Sequence, residues 1–244
     1  MRALQQSRCF ILIMSVCMVV PASIDIFISG LPAIHAQFPD QNVTLVMGMS
    51  LLGLTLSQLV YGPLLDYFGR KPVILLGLII FTLASIAIVL AQTFMLLIWA
   101  RFVQAFGGSA AVVGIIAITK DVYSKELLMS KIGTLMAMIG VSPVVAPLIG
   151  SLAKSIWGWR GSFSLLIVLG SFYTIIIAFL FKETIQERNH NALKLNVIYS
   201  NYVTLIKTPG YLTYCLCSAF TYCILFSYLN ISAFIIINKG TTSS

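Results

Sequence analysis

The chain has 244 residues, of which 59% are hydrophobic and only 9% charged, against roughly 25% charged in ordinary soluble domains. Seven acidic and fifteen basic residues cannot give a water-soluble fold its polar cover, so the composition is that of an integral membrane protein. A formal charge of +8 would suggest nucleic acid in a soluble chain, but here its distribution along the sequence matters more than its sum.

Apolar runs long enough to cross a bilayer, which takes about 20 residues, lie near 10–30, 44–64, 73–91, 94–118, 131–152, 161–181 and 211–237. Lipid offers the backbone no hydrogen-bond partner, so the runs should be helices. None has the strict polar alternation of a barrel strand. The expected fold is all-α, a polytopic transmembrane bundle. Arg2 and Arg8 before the first run also fit the order of a signal peptide. The run is long for a signal core and has no clear small-x-small cleavage site, which favours a retained first span. Eleven Lys and Arg fall in the N-terminal tail and the 65–72, 119–131 and 182–209 loops, against three on the opposite side. The positive-inside tendency therefore places the N-terminus in the cytoplasm.

In the first span, Asp25 interrupts an apolar stretch; in the fourth, Arg101 does the same. Either charge costs about 2.5–3.5 kcal/mol near a helix centre on insertion scales, so each should face a cavity or a partner. At 1.5 Å rise per residue they lie roughly 8 and 10 Å from the outer helix ends, which permits a pair. Snorkelling near the interface and a purely structural ion pair are the alternatives. A nearby base favours a charged carboxyl and burial a neutral one. That competition couples binding to proton movement if solvent access alternates.

Between the second and third spans lies YGPLLDYFGRKP, 61–72, which concentrates most of the local charge. Gly62 and Gly69 permit backbone geometry or close approach that a side chain would obstruct. Pro63 and Pro72 stiffen helix ends, and Arg70 and Lys71 favour the inner face. Asp66 could satisfy the free N–H groups at the start of the third helix or pair across the bundle. Further on, Gly107, Gly108 and Ser109 allow close helix contact. The fifth run, 133–152, holds Gly140, Pro143, Pro147 and Gly150, the pattern of a bent packing helix. Trp157, Trp159 and Arg160 suit an outer interface. After the sixth run, 182–209 forms a longer, mixed stretch. Within it, 191–207 could lie as an amphipathic helix on the inner leaflet or serve as a plain linker. Cysteines 9, 17, 215, 217 and 223 have no metal or redox spacing and read as small packing residues. The layout is thus a six-helix bundle over 1–181, a cytoplasmic loop over 182–209 and a seventh helix with a short tail over 210–244.

Several stretches resemble the major facilitator superfamily. GPLLDYFGRKPV matches that family's loop motif through Gly62, Leu64, Asp66, Gly69, Arg70 and Lys71. The resemblance implies a gating latch, fastening helix two to the other half of the bundle, with Arg70 reaching an acid at the inner end of helix four. Asp121 occupies that place. WARFVQAFGGSAAVV is similar to the helix-four motif, with Arg101, Gln104, Gly107, Gly108 and Ala110 in corresponding positions, and that Arg is commonly linked to proton coupling. SIDIFISGLPAI resembles the opening of bacterial bicyclomycin and multidrug exporters. Ile28-Ser29-Gly30 departs from their usual pattern. The helix-five segment resembles the antiporter motif, with Ala146 where the family has Gly before Pro147. WGWR and the FLFKET ending of helix six are also found in these exporters.

The resemblance implies the N-terminal half of a major facilitator fold plus one helix, ending early relative to the family's twelve. It implies proton-coupled efflux of small drug-like organic compounds across the bacterial inner membrane, with no enzyme activity, metal or organic cofactor. Asp25 would be the leading protonation candidate, with Arg101 and Gln104 on the substrate or proton path. Expected partners are a small organic substrate, protons, lipid and a missing C-terminal half or complementary chain. The alternatives are a nutrient or metabolite permease of the same family, a truncated fragment that does not transport, and a seven-helix receptor.

Overall fold

The structure is a computed structural model that describes residues 14–185 and 187–241. Expectations for Arg2, Arg8 and Cys9 fall outside the described residues. The main helices of the described residues are α1 (Val19–Gln37), α2 (Thr44–Phe68), α3 (Arg70–Val89), α4 (Phe94–Val122), α5 (Lys125–Ser155), α6 (Trp157–Leu180), α7 (Leu195–Lys207) and α8 (Tyr211–Thr241). Helices α2 to α6 are each long and apolar enough to cross a membrane. Met14–Phe27 and Gly30–Gln37 meet at 54° and are long and apolar enough only when taken together, as a broken span or a re-entrant loop. Pro32 lies just beyond this bend and cannot donate to the carbonyl four residues back, a standard cause of such a break. α8 covers the expected seventh run, with a shorter apolar stretch at Tyr211–Ile224.

The helices outrun their apolar runs. Helical hydrogen bonding does not stop where hydropathy falls, so α2 continues to Phe68 and α3 begins at Arg70. The expected turn over 61–72 therefore shrinks to Gly69, whose φ of 103° lies where L side chains are rarely found. Pro63 sits inside α2. Pro72 falls in the first turn of α3, where a missing N–H costs nothing because those groups have no intrahelical acceptor. The expected loop over 153–160 shrinks in the same way. Helical bonding runs through from Lys125 to Leu180, and only Trp157 and Gly158 leave the helical region. Backbone angles stay helical at Pro143 and Pro147.

By contact the chain divides into two units, Met1–His190 and Asn191–Ser244. In the first, α4 is the central helix: 61% of its apolar window is buried, against 17% for α5. It packs along α2 and α3, while α1 and α3 pack on the α5–α6 stretch. Between apolar helices in lipid, association comes from close van der Waals fit more than from water exclusion, and glycines make that fit here. A Cβ on Gly53 would strike the carbonyl oxygen of Phe102, and one on Gly77 would strike Ala110 and the Gly107 carbonyl. Tyr61, Leu65, Ile74, Leu78, Ala111 and Ile115 form part of the resulting core. Large apolar side chains also cover the outside, among them Leu83 at 60% and Phe179 at 85% exposure, as a lipid-facing surface requires. In the second unit α7 exposes Leu195, Tyr199 and Ile206, and Gly210 with φ 82° precedes α8.

Candidate functional site

Two polar clusters interrupt the first unit. One is buried within the bundle. Asp25 is 6% exposed and Arg101 only 1%, so neither faces lipid. They do not form an ion pair: among the described residues the salt bridges are Arg70 with Asp66 and Arg70 with Asp121. The Asp25 Oδ2 accepts instead from the Ser142 hydroxyl of α5 at 2.9 Å. The Arg101 Nη1 donates to the Gln104 Oε1 at 2.7 Å and, more weakly, to the Ser23 carbonyl at 3.4 Å. Gln104 passes the chain on, donating from Nε2 to the Ser85 hydroxyl at 2.7 Å, which donates to the Phe81 carbonyl at 2.7 Å. The guanidinium carbon lies 4.6 Å from the Phe27 ring centre and 5.3 Å from that of Phe163, within reach of cation–π attraction. Its Nε and Nη2 are buried without a hydrogen-bond partner among the described residues. Arg101 thus joins α4 to the α1 backbone two residues before Asp25, while Ser142 joins Asp25 to α5.

The other cluster closes one end of the bundle, around the 66–71 segment. Arg70 reaches two carboxylates at once, Asp66 Oδ1 from Nη1 at 2.6 Å and Asp121 Oδ2 from Nε at 3.0 Å. The expected Arg70–Asp121 contact is therefore present. Asp66 does not cap α3; its side chain is turned to Arg70. The capping acceptor is Glu183, just past α6, whose two oxygens accept from the backbone amides of Arg70 at 3.0 Å and Lys71 at 3.1 Å. Lys71 Nζ returns along α6 to the Ala178 carbonyl at 2.8 Å. The Asn189 amide donates to the Asp66 carbonyl at 3.0 Å, and His190 lies edge-on to Tyr67. Asn189 and His190 thus lie beside the end of α2. A cavity of about 350 Å³ opens here, lined by Asp66, Arg70, Asp121, Thr184 and Asn189 among others.

Of the helix-five residues, Gly140 and Pro143 are exposed, Pro147 is half-buried and Gly150 is buried. A Cβ on Gly140 would meet open space. The buried edge of α5 runs through Leu135, Ser142, Ala146 and Gly150. Gly62 likewise has open space around it. Among the described residues no group of three or more His, Cys, Asp or Glu is arranged to hold a metal ion. Sequence reasoning missed Glu183, Ser142 and Ser85. Glu183 carried a usable signal, as one of only seven acidic residues in the chain, placed directly after a span. The two serines carried none, since a hydroxyl inside a helix normally bonds its own preceding turn.

Apolar spans packed around buried charge, with an ion network at one end, define a polytopic membrane protein of helical-bundle type. The chain belongs to the Major Facilitator Superfamily, whose sequence profile matches residues 13–240. It is 29% identical over 239 residues to the bicyclomycin resistance protein homolog of Haemophilus influenzae, covering 96% of this chain and 60% of that protein. It is 36% identical over 191 residues to multidrug resistance protein D of Escherichia coli, covering 76% of this chain and 48% of that protein. The chain thus spans about half the length of the curated relatives it matches. Its fold is shared with a bacterial homolog of the human lysosomal transporter Spinster, solved inward-facing and unoccupied. That match has a TM-score of 0.68 at 17% identity and covers 94% of this chain and 55% of the other. The human organic anion transporter MFSD10 matches with a TM-score of 0.61 at 17% identity, over 80% of this chain and 52% of the other.

Proposed function

We propose that the chain forms the first half, with one further helix, of a proton-coupled exporter of small drug-like organic compounds, working by alternating access in the inner membrane of a bacterium. The N-terminus and the 66–71 latch face the cytoplasm in this reading, in keeping with the basic residues around them. The resistance proteins among its relatives support export of toxic compounds. The observation that carries the proposal is the Asp25 carboxylate, buried from lipid and held by the Ser142 hydroxyl of α5.

A proton carrier needs a group whose charge can change at depth and a neighbour that moves with it. Asp25 supplies the first. Through Ser142 its charge state acts on α5, whose remaining surface is largely free of contacts within this bundle. Arg101 holds the α1 backbone beside it, and Gln104 holds Arg101. At the latch, Arg70 ties the start of α3 to the ends of α2 and α4. Opening to the cytoplasm then requires this network to loosen while the outer side closes.

The test is efflux. Cells producing the chain together with a complementary C-terminal half are loaded with a cationic dye or bicyclomycin, and retention is followed before and after a protonophore collapses the proton gradient. Lower retention that the protonophore reverses supports the reading. Retention equal to that of cells without the chain contradicts it.

A further inference from the structure

The latch contains a carboxylate that the sequence motif does not, and its contacts are to backbone. The first four N–H groups of a helix have no acceptor within it, and the helix dipole makes that end favourable for negative charge. At α3 the acceptor comes from a residue more than a hundred positions away: Glu183 Oε1 takes the Arg70 amide at 3.0 Å and Oε2 the Lys71 amide at 3.1 Å. The same Oε1 also accepts from the amides of Thr184 at 2.9 Å and Ile185 at 3.2 Å. This fixes the carboxylate in its own loop. The exchange is reciprocal, because Lys71 donates its Nζ to Ala178 in the last turn of α6, where carbonyls lack intrahelical partners. Gly69 makes room for it. A Cβ there would lie 2.5 Å from Glu183 Oε2, in addition to the strain of φ 103°.

The consequence falls on Arg70. It is the first residue of α3, so the direction of its side chain depends on where that first turn is held. The turn is held by Glu183, and Arg70 then bridges Asp66 and Asp121. We infer that Glu183 is a positioning residue for the latch: by clamping the first two amides of α3 to the junction after α6, it sets the Arg70 guanidinium between Asp66 and Asp121. Loosening of this junction releases the latch, and Glu183 becomes part of the gate. This inference rests on the latch described above, and its test uses no transported substrate, so its failure is distinct from failure of the export proposal.

The purified full chain in nanodiscs serves for two measurements. In the first, amide exchange is followed at residues 70 and 71. Glu183→Ala removes a cap, and exchange there should rise roughly fivefold, in the native protein and equally in an Arg70→Ala background, whose amide remains. Unchanged exchange overturns the clamp. In the second, the Arg70–Asp121 coupling is measured by a double-mutant cycle on unfolding, with Glu183 intact and with Glu183→Ala. Expressed as a ratio of unfolding constants, the coupling should fall from roughly tenfold to under threefold. A merely structural Glu183 would lower stability and leave the ratio unchanged, and that result overturns the inference. If Glu183→Ala does not assemble, Glu183→Gln, which keeps one oxygen acceptor, should give an intermediate ratio; a native ratio counts against the proposal.

Discussion

Replacing Gln104 with leucine removes the best acceptor of a buried cation, and the structure gives the size of the effect. Arg101 is 1% exposed. Its Nε and Nη2 have no partner among the described residues, and without Gln104 its Nη1 keeps only the Ser23 carbonyl at 3.4 Å. A hydrogen bond from a charged group contributes about 1.5–3 kcal/mol, and a buried donor left unmade costs about as much. Ser85 loses little, since its own hydrogen still goes to Phe81. The Phe27 and Phe163 contacts remain. Gln104→Leu should therefore destabilise the bundle by about 2–4 kcal/mol, and Ser85→Ala by about 1 kcal/mol. The more searching variant is Arg101→Met with Gln104→Leu. Removing a buried charge together with its partner is close to neutral where removing the partner alone is not. The double variant should be more stable than Gln104→Leu by about 1 kcal/mol or more, while losing any function that needs the charge. Chaotrope unfolding of the three variants in one detergent reads all of this. A double variant less stable than Gln104→Leu, or a single variant within about 0.5 kcal/mol of the native chain, would refute the assignment of Gln104 as the partner that makes burial of Arg101 tolerable.

The latch should be ranked by exposure. Asp121 is 22% exposed and Asp66 50%, so Asp121→Asn should cost about 1–2 kcal/mol and Asp66→Asn about 0.5 kcal/mol. Reversing Arg70 and Asp121 together should relieve part of the defect of either reversal in a transport assay; absence of any relief contradicts the pair. Among glycines, Gly77→Val should cost about 2 kcal/mol or more, because the new side chain meets Ala110 and Gly107 on α4. Gly48→Ala, with open space around it, should stabilise α2 by about 0.5–1 kcal/mol; thermal unfolding in detergent separates the two.

The spans were legible because lipid imposes one requirement on every residue that crosses it, and runs of apolar residues meet that requirement visibly. Their ends were not. Ser155 and Lys125 are helical although they lie beyond the apolar core, since a helix ends where the backbone angles leave the helical region, as at Gly69 and Gly158. Asp25 and Arg101 were identifiable from the cost of charge in an apolar run, and both are buried. Of their partners, Gln104 lies one turn from Arg101 and was named with it. Ser142 and Ser23 were not identifiable, because they come beside Asp25 and Arg101 only when α5 and α4 pack on α1. Arg70 and Asp121 were matched through a motif and a topology, and the contact forms at 3.0 Å. The role of Glu183 escaped although an acid directly after a span carried a signal, because its partners are backbone amides, which every residue carries.

The central claim is that Asp25 carries the proton that drives export. Membrane vesicles holding the chain together with a complementary C-terminal half, given an imposed pH gradient, should accumulate or release the tested compound in proportion to that gradient. Asp25→Asn should reduce gradient-driven movement by at least about tenfold, equal to some 1.4 kcal/mol, while the chain stays assembled and stable. Undiminished gradient-driven transport by an assembled Asp25→Asn chain would contradict the account.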